Sequence, residues 1–503
     1  MSTFFGIEIG RRGINAHQRA LETTGHNVAN ASTPGYSRQQ VVLATTPPYS
    51  YPGMGAGQRG TGVQAQSVRR IRESFLDYQY RNEVKALGRW QLRQDTLEKL
   101  EAILNEPSDQ GLSTLIDRFF DAWQNLARYP DTEGARSALR QEALALTDAF
   151  NHLADQIKDL KADLNSSIAV RVNEINSLAH QIRDLNSQIV KAEAGGMAAN
   201  DLRDRRDLLL DQLAEVVPIQ VEEDRFGAVS IVVRDHTLLT GQKINDLSAD
   251  AASGKVEWPD GAGYRPGSQP YGALEGLLEA VRIEEDGEDK NPGLVQIYEQ
   301  RLNNLAKNIA DAVNKLHSEG VGLDGATGLD FFVVLGSTSE NNENDGITAG
   351  TISINSELLG PENLDKIAAA SQAYEGENEK GEPIPIYGEG KPPPAGDGSK
   401  ALAIAQLRHA LTMGDRVTFN DYYNSLVAEL GVQGQEAQRM VDNQIVLTGE
   451  IDNRRLSVSG VNLDEEITDM IRLQQAYNAS ARIITTVDEM LEVLINRTGL
   501  VGR

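Results

Sequence analysis

Residues 146–189 read LTDAFNHLADQIKDLKADLNSSIAVRVNEINSLAHQIRDLNSQI. Leu146, Phe150, Leu153, Ile157, Leu160, Leu164 and Ile168 fall three and four apart, and Val172, Ile175, Leu178, Ile182, Leu185 and Ile189 carry the seam onward. That spacing lays one apolar stripe along one side of a helix. Around Ser166 and Ser167 the steps are all fours, so the heptad breaks and a supercoil has to unwind locally. At 1.5 Å per residue the segment extends roughly 65 Å. A stripe so long and apolar is predicted to pair within the chain, with the helices following Ala401 among its partners. Gly195-Gly196 ends it, and a further helix is predicted from about Leu202 to Val216.

Outward from this coil, both ends of the chain are helical in pattern. Ile7, Ile14, Leu21 and Val28 recur every seven residues, with Gly6, Gly13 and Ala20 beside them, a narrow face suited to a close partner helix. Thr33-Pro34-Gly35 breaks that helix, and a Pro/Gly-rich stretch from Pro47 to Gly62 leaves it no local core to join. At the other end Leu463, Ile467, Met470, Gln474, Tyr477, Ala481, Ile484, Asp488, Leu491 and Ile495 step by alternating fours and threes. Asn462 with Glu465 reads as an N-cap and its capping-box partner, opening a helix from about Leu463 to Asn496. The two ends are predicted to pair as a coiled coil. Ile7, Ile14, Leu21, Val28, Ile467, Met470, Tyr477, Ile484 and Leu491 are the candidate assembly-interface residues. Isolated helices are marginal in water, so the ends are expected to be largely disordered in the free chain and helical only on assembly.

The middle changes period. Residues 218–239 alternate and are β-branched, which reads as strands; 271–281 and 294–316 return to helix; Ile352 and Ile354 suggest another strand. Residues 371–400 are rich in Gly, Pro and Glu and poor in large apolar side chains, so 371–398 is expected to be a mobile insertion. Helices resume near Ala401 and Asp421. The fold class is therefore mainly α with a β-containing outer domain, in a nested order. Residues 1–60 with 455–503 form an inner coiled-coil domain, 61–216 with 401–454 a helical bundle, and 217–400 a mixed strand and helix outer domain.

Composition narrows the function. The 503 residues carry 73 acids against 48 Lys and Arg, a formal net charge of −25, which repels nucleic acid. The charge is uneven: residues 1–80 hold eight Arg against four acids, while 221–400 hold 32 acids against 14 bases, a net of −18. There is no cysteine, which excludes disulfides, thiol nucleophiles and Cys-ligated zinc. No apolar run approaches a membrane span of ~18 residues. Met1–Gly10 has no basic region or cleavage site of a signal peptide, so the chain is expected to stay inside the cell or leave by a route that removes nothing.

Motifs for chemistry are scarce. Gly55-Ala-Gly57-Gln-Arg-Gly60 neither leaves a predicted strand nor opens a helix, as a dinucleotide site requires, and reads as a flexible loop. Asp324-Gly-Ala-Thr-Gly-Leu-Asp330 lacks the carboxylate alternation and closing Glu of a calcium loop, and reads as a Gly-rich turn before Phe331-Phe332. No pair among the seven histidines has helical ligand spacing. Arg69, Arg70 and Arg72 form a basic cluster that reads as a solvated helix start or as ion pairs with acidic neighbours. No catalytic residue, cofactor site or metal site is nominated.

Two signatures carry a resemblance. Thr24-Gly-His-Asn-Val-Ala-Asn-Ala-Ser-Thr-Pro-Gly-Tyr-Ser-Arg-Gln39 resembles the N-terminal signature of bacterial flagellar rod, hook and hook-associated proteins, and Ser459-Gly-Val-Asn-Leu-Asp-Glu-Glu466 with Leu473-Gln-Gln-Ala-Tyr-Asn-Ala-Ser-Ala-Arg482 is similar to the matching C-terminal one. The Pro-Gly-Tyr-Ser-Arg version points to the hook-associated members at the hook–filament junction. Asn200-Asp-Leu-Arg-Asp-Arg-Arg-Asp207, Tyr271-Gly-Ala-Leu-Glu-Gly-Leu-Leu278 and Gly322–Phe332 look like the same members, as does the block from Gly111 through Phe119-Phe120 and Trp123 to Arg136.

The resemblance implies a non-enzymatic structural protein, secreted uncleaved by flagellar type III export and assembled as a ring. Its partners would be its own copies, the hook protein, the second junction protein (hook-associated protein 3) and a cytoplasmic export chaperone at the C-terminal helix. Neither nucleic acid nor membrane is implied. Two other readings compete. Another axial protein of rod, hook or second junction would lack the length and the 44-residue coil; an extracellular enzyme or adhesin would need a concave polar cluster within 218–400, and the sequence shows none.

Overall fold

The computed structural model describes residues 5–50, 58–104, 111–266, 272–281, 292–337, 346–377, 383–388, 391–414 and 416–496. Ten helices organise them: α1 (Phe5–Ala29), α2 (Ser74–Leu104), α3 (Leu112–Arg128), α4 (Glu133–Glu193), α5 (Asn200–Val216), α6 (Ala273–Val281), α7 (Leu294–Ser318), α8 (Ser399–Gln406), α9 (Phe419–Ser459) and α10 (Leu463–Asn496). The architecture is mainly α with a strand-containing region.

Helix α4 is the spine, 61 residues long. All thirteen seam residues from Leu146 to Ile189 are at most 8% exposed. The helix runs unbroken through the run of fours, where Ser166 and Ser167 turn their hydroxyls back onto the carbonyls of Ala162 and Asp163. Its stripe is covered by α3, α5, α6 and α7 and by strands. The expected pairing with the helices after Ala401 is corrected: α9 lies along α2, and α8 lies on α3. The reason is supply of apolar surface. Four nearer helices already close the α4 seam, and α9 offers Tyr423, Leu426, Leu430, Ala437 and Val441 to form a stripe of its own.

At one end of the spine, Phe119, Phe120, Trp123, Phe331, Phe332 and Phe419 form an aromatic cluster with centroids 5.0–6.3 Å apart. At the other, strands Ile219–Glu223, Val229–Val233, His236–Thr240 and Lys243–Ile244 form an antiparallel meander whose Val229, Ile231 and Val233 point into the core.

Three further expectations are corrected. The stretch after Pro34 is no mere loop. Gln39–Thr45 pairs antiparallel with Val63–Arg70, from Gln39 opposite Arg70 to Thr45 opposite Val63, so residues either side of the predicted boundary at 60 belong to one hairpin. Turn signals hid it, because its strands are polar on the exposed face apart from Leu43. The hairpin lies on α1: Gly62 sits beside Ile9 and Arg12, and its φ of +106° is what calls for glycine there. The region 371–398 is not simply an insertion loop either. Ala370–Ser371 pairs with Gly320–Val321 and Tyr374–Glu377 with Pro383–Pro385; residues 378–382 and 389–390 lie outside the described residues. Backbone pairing needs no apolar side chains, which is why composition missed it. Finally, α1 and α10 are helical and packed on each other in the single chain, not disordered.

Candidate assembly surfaces

Helix α1 meets α10 through its small residues. A Cβ built on Gly6 would stand 2.7 Å from Val487, one on Gly10 2.6 Å from Ile484, and one on Gly13 2.7 Å from the Ser480 hydroxyl. The buried residues of α1 are Gly10, Gly13, Ala16, Ala20, Thr24 and Asn27. The heptad residues Ile7, Ile14, Leu21 and Val28 lie beside this stripe, half-buried.

Helix α10 gives little of itself to the chain. Among its described side chains only Glu466 is buried, and that is a carboxylate. Met470, Tyr477, Ile484 and Leu491 are half-buried, with Ile484 against Gly10. Ile467 points outward, 50% exposed. So do Leu463, Ile471, Ile483, Met490, Val493 and Leu494, each at least 44% exposed. The candidate residues thus divide between an inner contact and an outer surface. Heptad reading missed Ile471, Ile483, Met490 and Leu494, because it assumes a single seam.

A buried polar junction fixes this helix pair to the body. The Asn27 amide donates to the Gln39 carbonyl and to Glu466 Oε2, both at 2.9 Å, while its Oδ1 accepts from the Gln39 N–H at 3.0 Å and from the Tyr36 hydroxyl at 2.8 Å. Arg38 Nε donates to Glu466 Oε1 at 2.6 Å, its Nη1 to Glu465 at 2.8 Å, and its backbone N–H to the Ser459 carbonyl at 2.7 Å. Burial, then the charges of Asp201, Asp204 and Glu466, push the Tyr36 phenol well above its usual range, so it remains a donor. Both terminal signatures therefore meet at one turn.

Below it the arginine cluster is buried in ion pairs. Arg70 binds Asp204 at 2.8 Å and Asp207 at 2.7 Å; Arg72 binds Asp77 at 2.6 Å; Arg81 and Arg455 share Asp211 at 2.7 and 2.6 Å. The hairpin, α2, α5 and α9 are thus clamped together. Burial would raise the Asp207 carboxyl, but Arg72 and Arg70 more than offset this and hold it below the usual range. Asp204 goes the other way, because burial outweighs the Ser37 N–H and Arg70. Arg69 alone points outward, its guanidinium on Gln40. The motif 200–207 is explained by the same network: Asn200 also binds Gln39 and the Val68 carbonyl, and Arg206 caps the Gly227 carbonyl and Asn186.

The remaining motifs are structural as well. Gly272 and Gly276 let α6 approach the Val216 carbonyl and the Arg89 backbone, and Glu275 is buried between Arg234 and the Tyr264 hydroxyl. Asp324 Oδ1 accepts the Ala326 N–H, closing a turn. His317 is buried with Nδ1 2.6 Å from the Leu329 carbonyl and Nε2 accepting the Ala368 N–H at 3.0 Å; burial lowers its pKa to about 4. It is a neutral core imidazole. Among the described residues no group of His, Asp and Glu could hold a metal ion, and no helix is long and apolar enough to cross a membrane. Gly55 and Gly57 lie outside the described residues.

Comparison with known proteins agrees with the terminal junction and the long spine. The model of the flagellar hook-associated protein FlgK helical domain matches residues 97–332, that of the flagella basal body rod protein 7–36, and that of the flagellar basal body rod FlgEFG protein C-terminal region 453–497. Over 100% of both chains, the protein is 34% identical to flagellar hook-associated protein 1 of Bacillus subtilis (strain 168). The chain belongs to the flagellar hook-associated protein 1 family. The family member of Salmonella typhimurium (strain LT2) is 26% identical over 96% of this chain and 98% of its own. The structure of the flagellar hook junction protein FlgK from Burkholderia pseudomallei superposes with a TM-score of 0.59 at 17% identity, covering 76% of this chain and all of that one, and so shares the fold. As a hook-associated protein 1, the chain is a structural component of the flagellar hook–filament junction. Its motifs hold the scaffold.

Proposed function

We propose that this protein assembles as a ring between hook and filament, through the outward faces of its terminal helices. The observation that carries the reading is α10: 34 residues long, with Glu466 its only buried described side chain and seven large apolar side chains at least 44% exposed from Leu463 to Leu494. Exposed apolar side chains of this number and size are what neighbouring subunits cover. The terminal helices, the helical bundle and the outer domain of 217–400 are then layers from axis to surface, with the hairpin joining the first two. Hook protein on one side and the second junction protein, hook-associated protein 3, on the other contact the ring. The chain leaves the cell uncleaved by flagellar type III export, and before that an export chaperone covers the same C-terminal helix.

The test is Ile467→Asp. The side chain is half exposed and touches no core, so the melting curve of the purified chain should stay within a degree or two of wild type, as for surface substitutions generally. Incorporation at the hook tip should be lost. Normal incorporation with normal motility would overturn the reading.

A further inference from the structure

We infer that the outward face of α10 docks on the outward face of the hairpin strands, within residues 39–49 and 58–70, of a second copy, so that the interface is head-to-tail. The inference rests on the ring reading above and specifies its contact. Both elements run along α1 but on different sides of it. The hairpin lies beside Ile9 and Arg12, whereas α10 lies on Gly6, Gly10 and Gly13. Their levels match. At the junction end Asn27 holds both Gln39 and Glu466. At the far end the Arg59 guanidinium sits 4.2 Å from the Phe5 ring centroid, one residue before the Gly6–Val487 contact.

Each face carries what the other lacks. The α10 face shows Ile467 and Ile471 near the junction, then Asp488, Glu489 and Glu492 near its far end, all three exposed and without an ion pair among the described residues. The hairpin shows Arg69 and Leu43 along its strands and Tyr49 and Arg59 toward its tip. Neither arginine has a carboxylate partner among the described residues. A neighbour placed at the same height therefore sets Arg59 opposite the three acids and Leu43 opposite the isoleucines. Two α10 faces brought together would instead oppose acid to acid. Because two different patches meet, the contact is heterologous, and repetition closes a ring or continues a helix rather than stopping at a dimer.

The absence of native cysteine makes the test direct. Two single variants, Leu43→Cys and Ile471→Cys, are co-expressed in cells lacking the wild-type chain, and assembled flagella are oxidised. A disulfide-linked dimer from the mixture, and from neither variant alone, is the expected result. Dimers from Ile471→Cys alone would show an α10–α10 contact and overturn the inference. So would assembled flagella with no dimer from the mixture, an outcome that leaves the ring reading standing. If either cysteine blocks assembly, Gln40→Cys and Asn478→Cys, both at exposed polar positions, take their place. A second arm uses charge. Glu492→Arg and Arg59→Glu should each reduce incorporation roughly tenfold, and the double variant should recover it. Failure of the double variant to recover would count against the charge pairing on which the inference depends.

Discussion

Asn27 and Glu466 stand 439 positions apart in the chain, and their buried side chains meet in a 2.9 Å hydrogen bond. One comes from each terminal signature. Glu466 also accepts from Arg38, so this single carboxylate ties α10 to α1 and to the start of the hairpin. The terminal pair has little apolar burial of its own, and its orientation on the body depends on this polar contact. Glu466→Ala removes one of the two acceptors of the Asn27 amide and the acceptor of Arg38 Nε, at about 1–3 kcal/mol. Amide exchange should speed up across α1 and α10 while α4 keeps its protection. Unchanged exchange in α10 would contradict this role.

The spine behaves oppositely. Leu160 is 6% exposed in the α4 seam, and Leu160→Asp places a carboxylate there without a partner. A loss of several kcal/mol is expected, seen as a lower denaturant midpoint for the bundle.

Glycines on α1 separate into two kinds. Gly10 faces Ile484 and the Ser480 carbonyl, so Gly10→Val should force the helices apart and lower the helical signal of the ends. Gly25 has nothing within 4 Å, so Gly25→Ala should stabilise α1 by about 0.5–1 kcal/mol. Paired circular dichroism melts distinguish the two, and equal effects would refute the assignment.

Acid should weaken the core through His317. Burial lowers its folded pKa to about 4, while the unfolded imidazole takes up a proton from about 6.5. Between those values only the unfolded state binds the proton. Stability is therefore unaffected above the unfolded pKa and falls with pH through the window, by about 3 kcal/mol in all. Asp207 acts lower: its folded pKa is depressed, so its contribution is complete above the unfolded carboxylate pKa and is lost as pH falls through the folded one. Denaturant midpoints from pH 7 to 4 should show the His317 slope, and His317→Gln should flatten it.

Much of this was readable before any coordinates. The α4 seam, the span of α10 from Leu463 to Asn496 and the strands near Val229 and Ile352 all follow from periodicity, because local burial imposes a local repeat. The family resemblance was legible in Thr24–Gln39 and Ser459–Glu466. The hairpin was not, since a polar exposed face and a Gly/Pro-rich turn look like loop. Nor were the partners of Arg70, because Asp204 and Asp207 lie more than 130 residues away, whereas the ion pair of Arg72 with Asp77 is a local one that the sequence reading already allowed.

By itself, the sequence determined most of the helices, α2 and α3 excepted, and which of their faces are apolar or small, because those patterns repeat within a few residues. The tertiary structure alone decided which faces find partners in the chain. The α4 seam is closed by four helices, α9 goes to α2, and the stripe of α10 splits between Gly10 on α1 and open solvent. The physical reason is that periodicity reports a demand for burial, whereas its satisfaction depends on contacts between residues hundreds of positions apart. The demand left unmet on α10 is the surface on which the proposed assembly rests.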